Sequence, residues 1–157
     1  MARPSGTKLI ATNRQARRNY EVLETVEAGL VLRGSEVKSL RSGQVQLREA
    51  YGRIQGTEAW LHALHIAPYD HAQAHSGHEA ERPRKLLLHR EEIDRLRAKV
   101  DEQRLALVPL SIYFKDGRAK VDLALARGRK TYDKREAIAR RDADRDAARA
   151  IARAGRD

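Results

Sequence analysis

The stretch from Val108 to Leu125 constrains this chain more than any other. Val108, Leu110, Ile112 and Phe114 alternate with other residues, Asp116-Gly117 is a two-residue turn signal, and Ala119, Val121, Leu123 and Leu125 alternate on the return. Period-two hydrophobicity interrupted by Asp-Gly predicts two antiparallel strands joined by a tight turn. Lys120 falls on the polar face of the return strand, where a structural and a functional reading stand level.

The upstream half reads the same way. Tyr20 to Thr25 and Leu30 to Leu32 are rich in large apolar and β-branched residues and are separated by Val26-Glu27-Ala28-Gly29, which predicts a hairpin. Gln46 to Gln55 and Glu58 to Ile66 form a second predicted strand pair around Gly56-Thr57. In the latter, Trp60, His62, Leu64 and Ile66 share one face and Leu61, Ala63 and His65 the other. Two covered faces are what a closed barrel produces.

Short helical signals punctuate the strands. In Gly34 to Leu40, Val37 and Leu40 lie three apart, as in a helix laying one face on a core. Glu36 in that stretch serves either as an internal salt-bridge partner, the commoner case, or as an acceptor for the amino groups of bases. Ile93, Leu96 and Val100 recur at helical spacing from Arg90 onward. Just before that helix, Arg82-Pro83-Arg84-Lys85 abuts Leu86-Leu87-Leu88-His89, which suggests a buried strand or turn presenting Arg84, Lys85 and His89 at its rim.

Charge points to the partner. Lys+Arg 32 against Asp+Glu 22 in 157 residues gives a formal charge of +10, and the pI is near 10.3. Such a balance favours a polyanion, against the blander reading of a merely basic soluble protein. Arg14, Arg17 and Arg18 cluster in Asn13 to Tyr20, where planar guanidinium forks suit phosphates and a solvated loop is the alternative. Met1 to Thr12 reads as a loose basic arm.

From residue 127 to 157 the chain is alanine-rich and cationic, and its large aliphatic residues, Ile138 and Ile151, sit about 140° apart around a helix axis. No apolar stripe exists to dock, but Lys130, Lys134, Arg141, Arg145, Arg149, Arg153 and Arg156 form one ridge, with Asp133, Glu136 and Asp144 opposite. Such a polar helix is marginal alone and gains stability along phosphates.

Several chemistries find no footing. There is no cysteine, P-loop, dinucleotide fingerprint or nucleophile elbow, and no apolar run of the ~20 residues a membrane span needs, so a soluble, unexported, cytoplasmic chain without catalytic residues or cofactors is expected. His71, His75 and His78 in the Pro68 to Arg84 loop have no convincing carboxylate or thiolate partner, so a loop beside RNA is expected there rather than a metal site.

The expected architecture is mainly β with helices. It comprises a basic arm at 1–12, a closed antiparallel OB-fold-like barrel with flanking short helices at 13–126, and a helix-prone tail at 127–157. Two alternatives accompany an RNA-binding barrel: a general single-strand-binding protein, which would want exposed aromatics, and a small RNA-processing enzyme using His62, His65 or His89 as base.

The motifs N-R-Q-A-R at Asn13, G-S-E-V-K-S-L-R-S-G at Gly34, I-A-P-Y at Ile66, R-P-R-K-L-L-L-H at Arg82, L-V-P-L at Leu107, G-R-A-K-V-D-L-A-L-A-R-G-R-K at Gly117 and Y-D-K-R at Tyr132 resemble, in order, those of the SsrA-binding (small protein B) family. The resemblance implies an oligonucleotide-binding barrel that grips the transfer-RNA-like domain of transfer-messenger RNA. It also implies delivery to the A site of stalled ribosomes in trans-translation, with alanyl-tRNA synthetase and elongation factor Tu as indirect partners through the charged RNA.

Carried over by motif, the RNA contacts implied include Glu36, Leu87, His89 and Lys120; beside them stand Arg14, Arg17, Arg18, Lys38, Arg84 and Lys85. The tail implied is disordered when free and helical in the decoding centre and messenger channel of the small subunit. Its entry is Arg127, Gly128, Arg129, Lys130, Tyr132, Asp133, Lys134 and Arg135. Ser35, His89 and Tyr132 depart from residues common in the family.

Overall fold

A computed structural model describes residues 6–68, 79–129 and 131–154. The fold is mainly β with a few helices. In chain order the elements are β1 (Thr7–Thr12), α1 (Ala16–Asn19), β2 (Tyr20–Leu30), α2 (Gly34–Arg41), β3 (Val45–Gln46), β4 (Tyr51–Gln55), β5 (Glu58–His62), β6 (His65–Ile66), β7 (Arg84–Leu87), α3 (Arg90–Gln103), β8 (Ala106–Lys115), β9 (Arg118–Gly128) and α4 (Thr131–Ala154).

The main sheet has the order β1-β8-β4-β5-β7-β2-β9, and β9 pairs again with β8, so six strands form a ring with β1 attached outside it. The seams are unequal. β2 and β9 pair along Tyr20–Gly29, whereas β2 meets β7 only at Gly29↔Leu87 and Leu30↔Leu86. β4 meets β8 only at Gly52↔Leu107. Inside the ring Leu61, Ile112, Val121 and Leu123 are fully buried, and Leu40 of α2 and Leu96 of α3 join the same core.

The hairpin expected from Val108 to Leu125 forms, closed at Asp116-Gly117, but its alternation is interrupted. The register between β8 and β9 shifts between Pro109 and Ser111. A bulge moves every later side chain to the opposite face. Val108 and Leu110 therefore pack with Ala16, Ala124 and Ala126 in a second, smaller cluster, while Ile112 and Phe114 point into the main core.

Three other expectations are corrected. Residues 20–32 do not turn back on themselves: β2 is one strand through Gly29, because β9 and β7 flank it and satisfy its backbone. Part of the arm is not loose, since Thr7–Thr12 pairs with Ser111–Lys115 and is clipped by Gly6 N–H donating to Asp116 Oδ1 at 3.0 Å. The face assignment after Trp60 also fails. Ala63 has φ 58°, a bend that breaks the alternation, so Leu61, Leu64 and Ile66 are all buried.

The two helices α2 and α3 are closed at their starts by acidic side chains. Glu36 reaches back to the Arg33 N–H at 2.8 Å at the start of α2, and Glu92 reaches back to the His89 N–H at 3.2 Å at the start of α3. Each satisfies an amide that the first helical turn leaves unpaired. The α4 side chains described from Ile138 to Ala152 are exposed. No helix among the described residues is long and apolar enough to cross a membrane.

Candidate nucleic-acid interface

Strand parity separates the expected site residues into two groups. Arg84 and Leu86 face inward and Lys85 and Leu87 outward, because successive strand residues point to opposite faces. Arg84 is wholly buried, as is Glu36. The expectation that Arg84 stands at a rim is therefore corrected: neither the Arg84 nor the Glu36 side chain reaches the surface, and each serves the other.

Their chemistry is a buried hub. Glu36 Oε2 accepts from Arg84 Nε at 2.6 Å and lies 2.5 Å from the second Arg84 terminal nitrogen. Glu36 Oε1 accepts from the Arg33 N–H and from Arg82. The remaining Arg84 donors reach the carbonyls of Leu64, Ala80 at 3.1 Å and Glu79 at 3.3 Å. One carboxylate thus ties α2 to β7, and the arginine ties β7 to the corners on either side of residues 69–78. Burial by itself would raise the Glu36 carboxyl, yet the Arg33 amide and the two guanidinium groups override it and hold the group below its ordinary value. Burial lowers Arg84, against the pull of Glu36.

The second group forms a surface. Directly opposed residues of antiparallel strands lie on one face, and the registers place Leu9, Tyr113, Lys120, Gly29 and Leu87 in a single row across β1, β8, β9, β2 and β7. Leu9 and Leu87 are 60% and 55% exposed and give this row an apolar end on either side. A second row, Arg53–Trp60–Lys85, runs alongside across β4, β5 and β7. Tyr51 stacks on His62 beyond it, with ring centroids 5.4 Å apart. His89 is exposed two residues after Leu87, at the start of α3.

Acids on this face are largely engaged. Glu27 accepts from the Tyr113 hydroxyl at 2.5 Å and from Lys115 at 3.4 Å. The Tyr113 hydroxyl first, and then Lys115 and Lys120, hold Glu27 below the usual carboxylate range despite partial burial. Burial, reinforced by Glu27, pushes the Tyr113 phenol up. Asp122, two residues from Lys120, is raised by burial; Arg17 opposes that shift and Glu27 adds to it. Lys120 supplies the cation of this row, Lys85 of the neighbouring row lies 3.8 Å from Glu58, and Asp122 lies between Lys120 and the arginines of α1.

Arg14, Arg17 and Arg18 are exposed. Arg14 and Arg17 border a cleft with Ser111, Asp122 and Arg141. A second cleft of about 560 Å³ between α4 and the body has Arg17, Arg127, Arg129, Arg140 and Arg141 at its walls and Glu21 and Asp144 as its acids. Lys38 is exposed on α2, on a separate part of the surface. In the tail entry, Arg127 is 4.0 Å from Glu21, Gly128 ends β9, and the Arg129 N–H donates to the Asn19 carbonyl at 2.9 Å. Tyr132, Asp133, Lys134 and Arg135 lie in the first turns of α4, and Lys130 lies outside the described residues.

The three histidines named as a possible base, His62, His65 and His89, lie in different surroundings. His62 stacks on Tyr51, His65 Nδ1 is 3.6 Å from Glu81 at the surface, and His89 sits on the helix start; a cleft of about 830 Å³ is lined by none of them. His71, His75 and His78 lie outside the described residues. Arg82, Tyr113 and Gly29 take part in the hub or the row without having been singled out from sequence. The signal for Tyr113 was its polar-face position beside Ile112 and Phe114, while Arg82 and Gly29 needed the pairing itself.

The geometry can be set beside known proteins. A family model described as "SmpB protein" matches residues 10–153. An SsrA-binding protein of Solidesulfovibrio magneticus is 55% identical over 152 residues, covering 97% of this chain and 98% of that protein. Another, of Desulforudis audaxviator, is 56% identical over 143 residues, covering 91% and 93%. Among solved structures, a chain described as "tmRNA-SmpB: a journey to the center of the bacterial ribosome" superposes with a TM-score of 0.66 at 49% identity, covering 82% of this chain and 93% of that one.

Proposed function

The chain belongs to the SmpB family, and from that premise we propose that it binds transfer-messenger RNA and delivers it to stalled ribosomes for trans-translation. The observation that carries the residue-level reading is the outward row joining Leu87, Lys120 and Tyr113 across one sheet. An ammonium neutralises a phosphate, and the apolar and aromatic neighbours accept ribose or base faces, so recognition combines charge with the shape of a folded RNA. Arg14, Arg17 and Arg18 extend this surface toward the tail.

On this reading the six-strand ring is a closed barrel of the oligonucleotide-binding type that grips the transfer-RNA-like domain. Glu36 and Arg84 act from inside by holding the corner that carries Lys85 and Leu87. The tail from Arg127 is a separate unit, disordered when free and helical along the ribosome's empty messenger channel. The exposed cations Arg141, Arg145 and Arg149 recur every four residues of α4, which supports a phosphate-lined groove as its destination. The protein works in the cytoplasm as a non-enzymatic adaptor.

The test is binding to transfer-messenger RNA and to an unrelated RNA of equal length across a salt series, with Lys120→Ala, Leu87→Ala and a chain ending at Arg127. Lys120→Ala should weaken the cognate complex and reduce the salt slope by about 1. The truncated chain should keep RNA selectivity and lose ribosome rescue. Equal binding of both RNAs, abolished by salt, would leave only a generic polyanion binder.

A further inference from the structure

Gly29 occupies the centre of the outward row, between Leu87 on one neighbouring strand and Lys120 on the other. It presents no side chain, and the space above it is already used. A Cβ at this position would meet Leu87 Cβ at 3.1 Å, Cδ1 at 3.4 Å and Cγ at 3.7 Å. Cβ, Cγ and Cδ1 of Leu87 therefore border the space above Gly29, on the side of β2 that faces away from the core. Despite that contact Leu87 remains 55% exposed, so its upper surface is open to a partner.

Adjacent strands are separated by about 4.8 Å, so the positions of Leu87 and Lys120 are roughly two such spacings apart with only a backbone between them. A side chain at position 29 would fill that interval and lift Leu87. We propose that Gly29 is a positioning residue of the RNA surface: it lays Leu87 flat toward Lys120, so the two make one platform for a single unstacked nucleotide. The ribose or base rests on Leu87 and the phosphate meets Lys120. The inference rests on the reading that this face meets the RNA, and it adds which residue sets the seat and which chemical unit occupies it.

The test is a double-mutant cycle in the full-length chain. Gly29→Ala, Leu87→Ala and the double variant are each titrated with transfer-messenger RNA over a salt series, with melting followed in parallel. Half of a leucine surface is worth about 1 kcal/mol, so Gly29→Ala and Leu87→Ala should each weaken binding about fivefold. The salt slope should stay unchanged in both, since no phosphate contact is removed. In the double variant the two losses should not add, because Cγ and Cδ1 of Leu87, whose placement Gly29 sets, are already gone, while the Cβ contact at 3.1 Å is the same in both backgrounds.

Melting should fall modestly, because the nearest atom is Leu87 Cβ, which side-chain rotation cannot move, so β2 and β7 must part by a few tenths of an ångström. Should Gly29→Ala prove unstable, the cycle is run on Leu87→Ala and Lys120→Ala instead: losses that do not add support one shared platform, and fully additive losses or wild-type binding of Leu87→Ala overturn it. Wild-type affinity in Gly29→Ala, or fully additive losses, would also overturn the proposal while leaving the face as the RNA surface. If Leu87→Ala and Lys120→Ala both bind as wild type, the face itself has been misread and this inference falls with it.

Discussion

Replacing Glu36 with glutamine probes the interior hub while keeping the side chain's shape. Both partners of the Glu36–Arg84 pair have fully inaccessible side chains, so removing the carboxylate charge strands a guanidinium in the interior. Breaking a buried pair from one side costs about 3–5 kcal/mol, chiefly through the uncompensated charge left behind. Arg84 keeps its carbonyl acceptors at Leu64, Ala80 and Glu79, which places the expected loss near the lower limit, about 3 kcal/mol. For a domain of this size that corresponds to a melting temperature roughly 6–12 °C lower. Urea unfolding of the wild type and Glu36→Gln at neutral pH measures it directly.

The pH dependence adds a second constraint. The folded carboxyl lies below its ordinary 4.5, so the ionised form's contribution is present above 4.5 and is lost as pH falls through the folded value. The gap between wild type and Glu36→Gln should therefore close on acidification below 4.5. Glu36→Leu combined with Arg84→Met should recover much of the stability that either single change loses. A Glu36→Gln chain within about 1 kcal/mol of wild type, or a gap that persists in acid, would refute the buried-hub argument. A fully folded Glu36→Gln that has lost RNA selectivity would show instead that the carboxylate reads RNA itself.

Three other perturbations are informative. At the single-pair seam between β4 and β8, a Cβ at Gly52 would lie 2.8 Å from Leu107 Cβ, so Gly52→Ala should cost about 1–3 kcal/mol in denaturant unfolding, and Leu107→Ala should not rescue it because that Cβ remains. Asp122 is raised above its ordinary 3.8, so its charged form opposes folding at neutral pH; Asp122→Asn should raise the melting temperature there, and the difference should shrink as pH falls toward 3.8. Because the described α4 side chains from Ile138 to Ala152 are exposed, a chain ending at Arg129 should melt within about 2 °C of the full-length protein; a larger loss would mean that α4 stabilises the body.

Much of this protein was legible in the residue pattern itself. Period-two runs and Asp116-Gly117 marked β8 and β9, helical spacing marked α2 and α3, and the charge balance pointed to a polyanion. These signals are local, because a strand's alternation and a helix's three-to-four spacing are set by backbone geometry within a few residues. Side-chain faces were not local. Whether Arg84 or Lys85 points inward is a one-residue question of parity, and neighbouring strands settle it. The bulge after Pro109 sent Val108 and Leu110 to a different cluster from Ile112 and Phe114 for the same reason. Glu36 offered two readings as a carboxylate among cations, and only the fold, by closing Arg84 and Arg82 over it, made it an interior ion. Leu87, Gly29 and Lys120 lie far apart along the chain, and the pairing of β7, β2 and β9 is what brings them side by side.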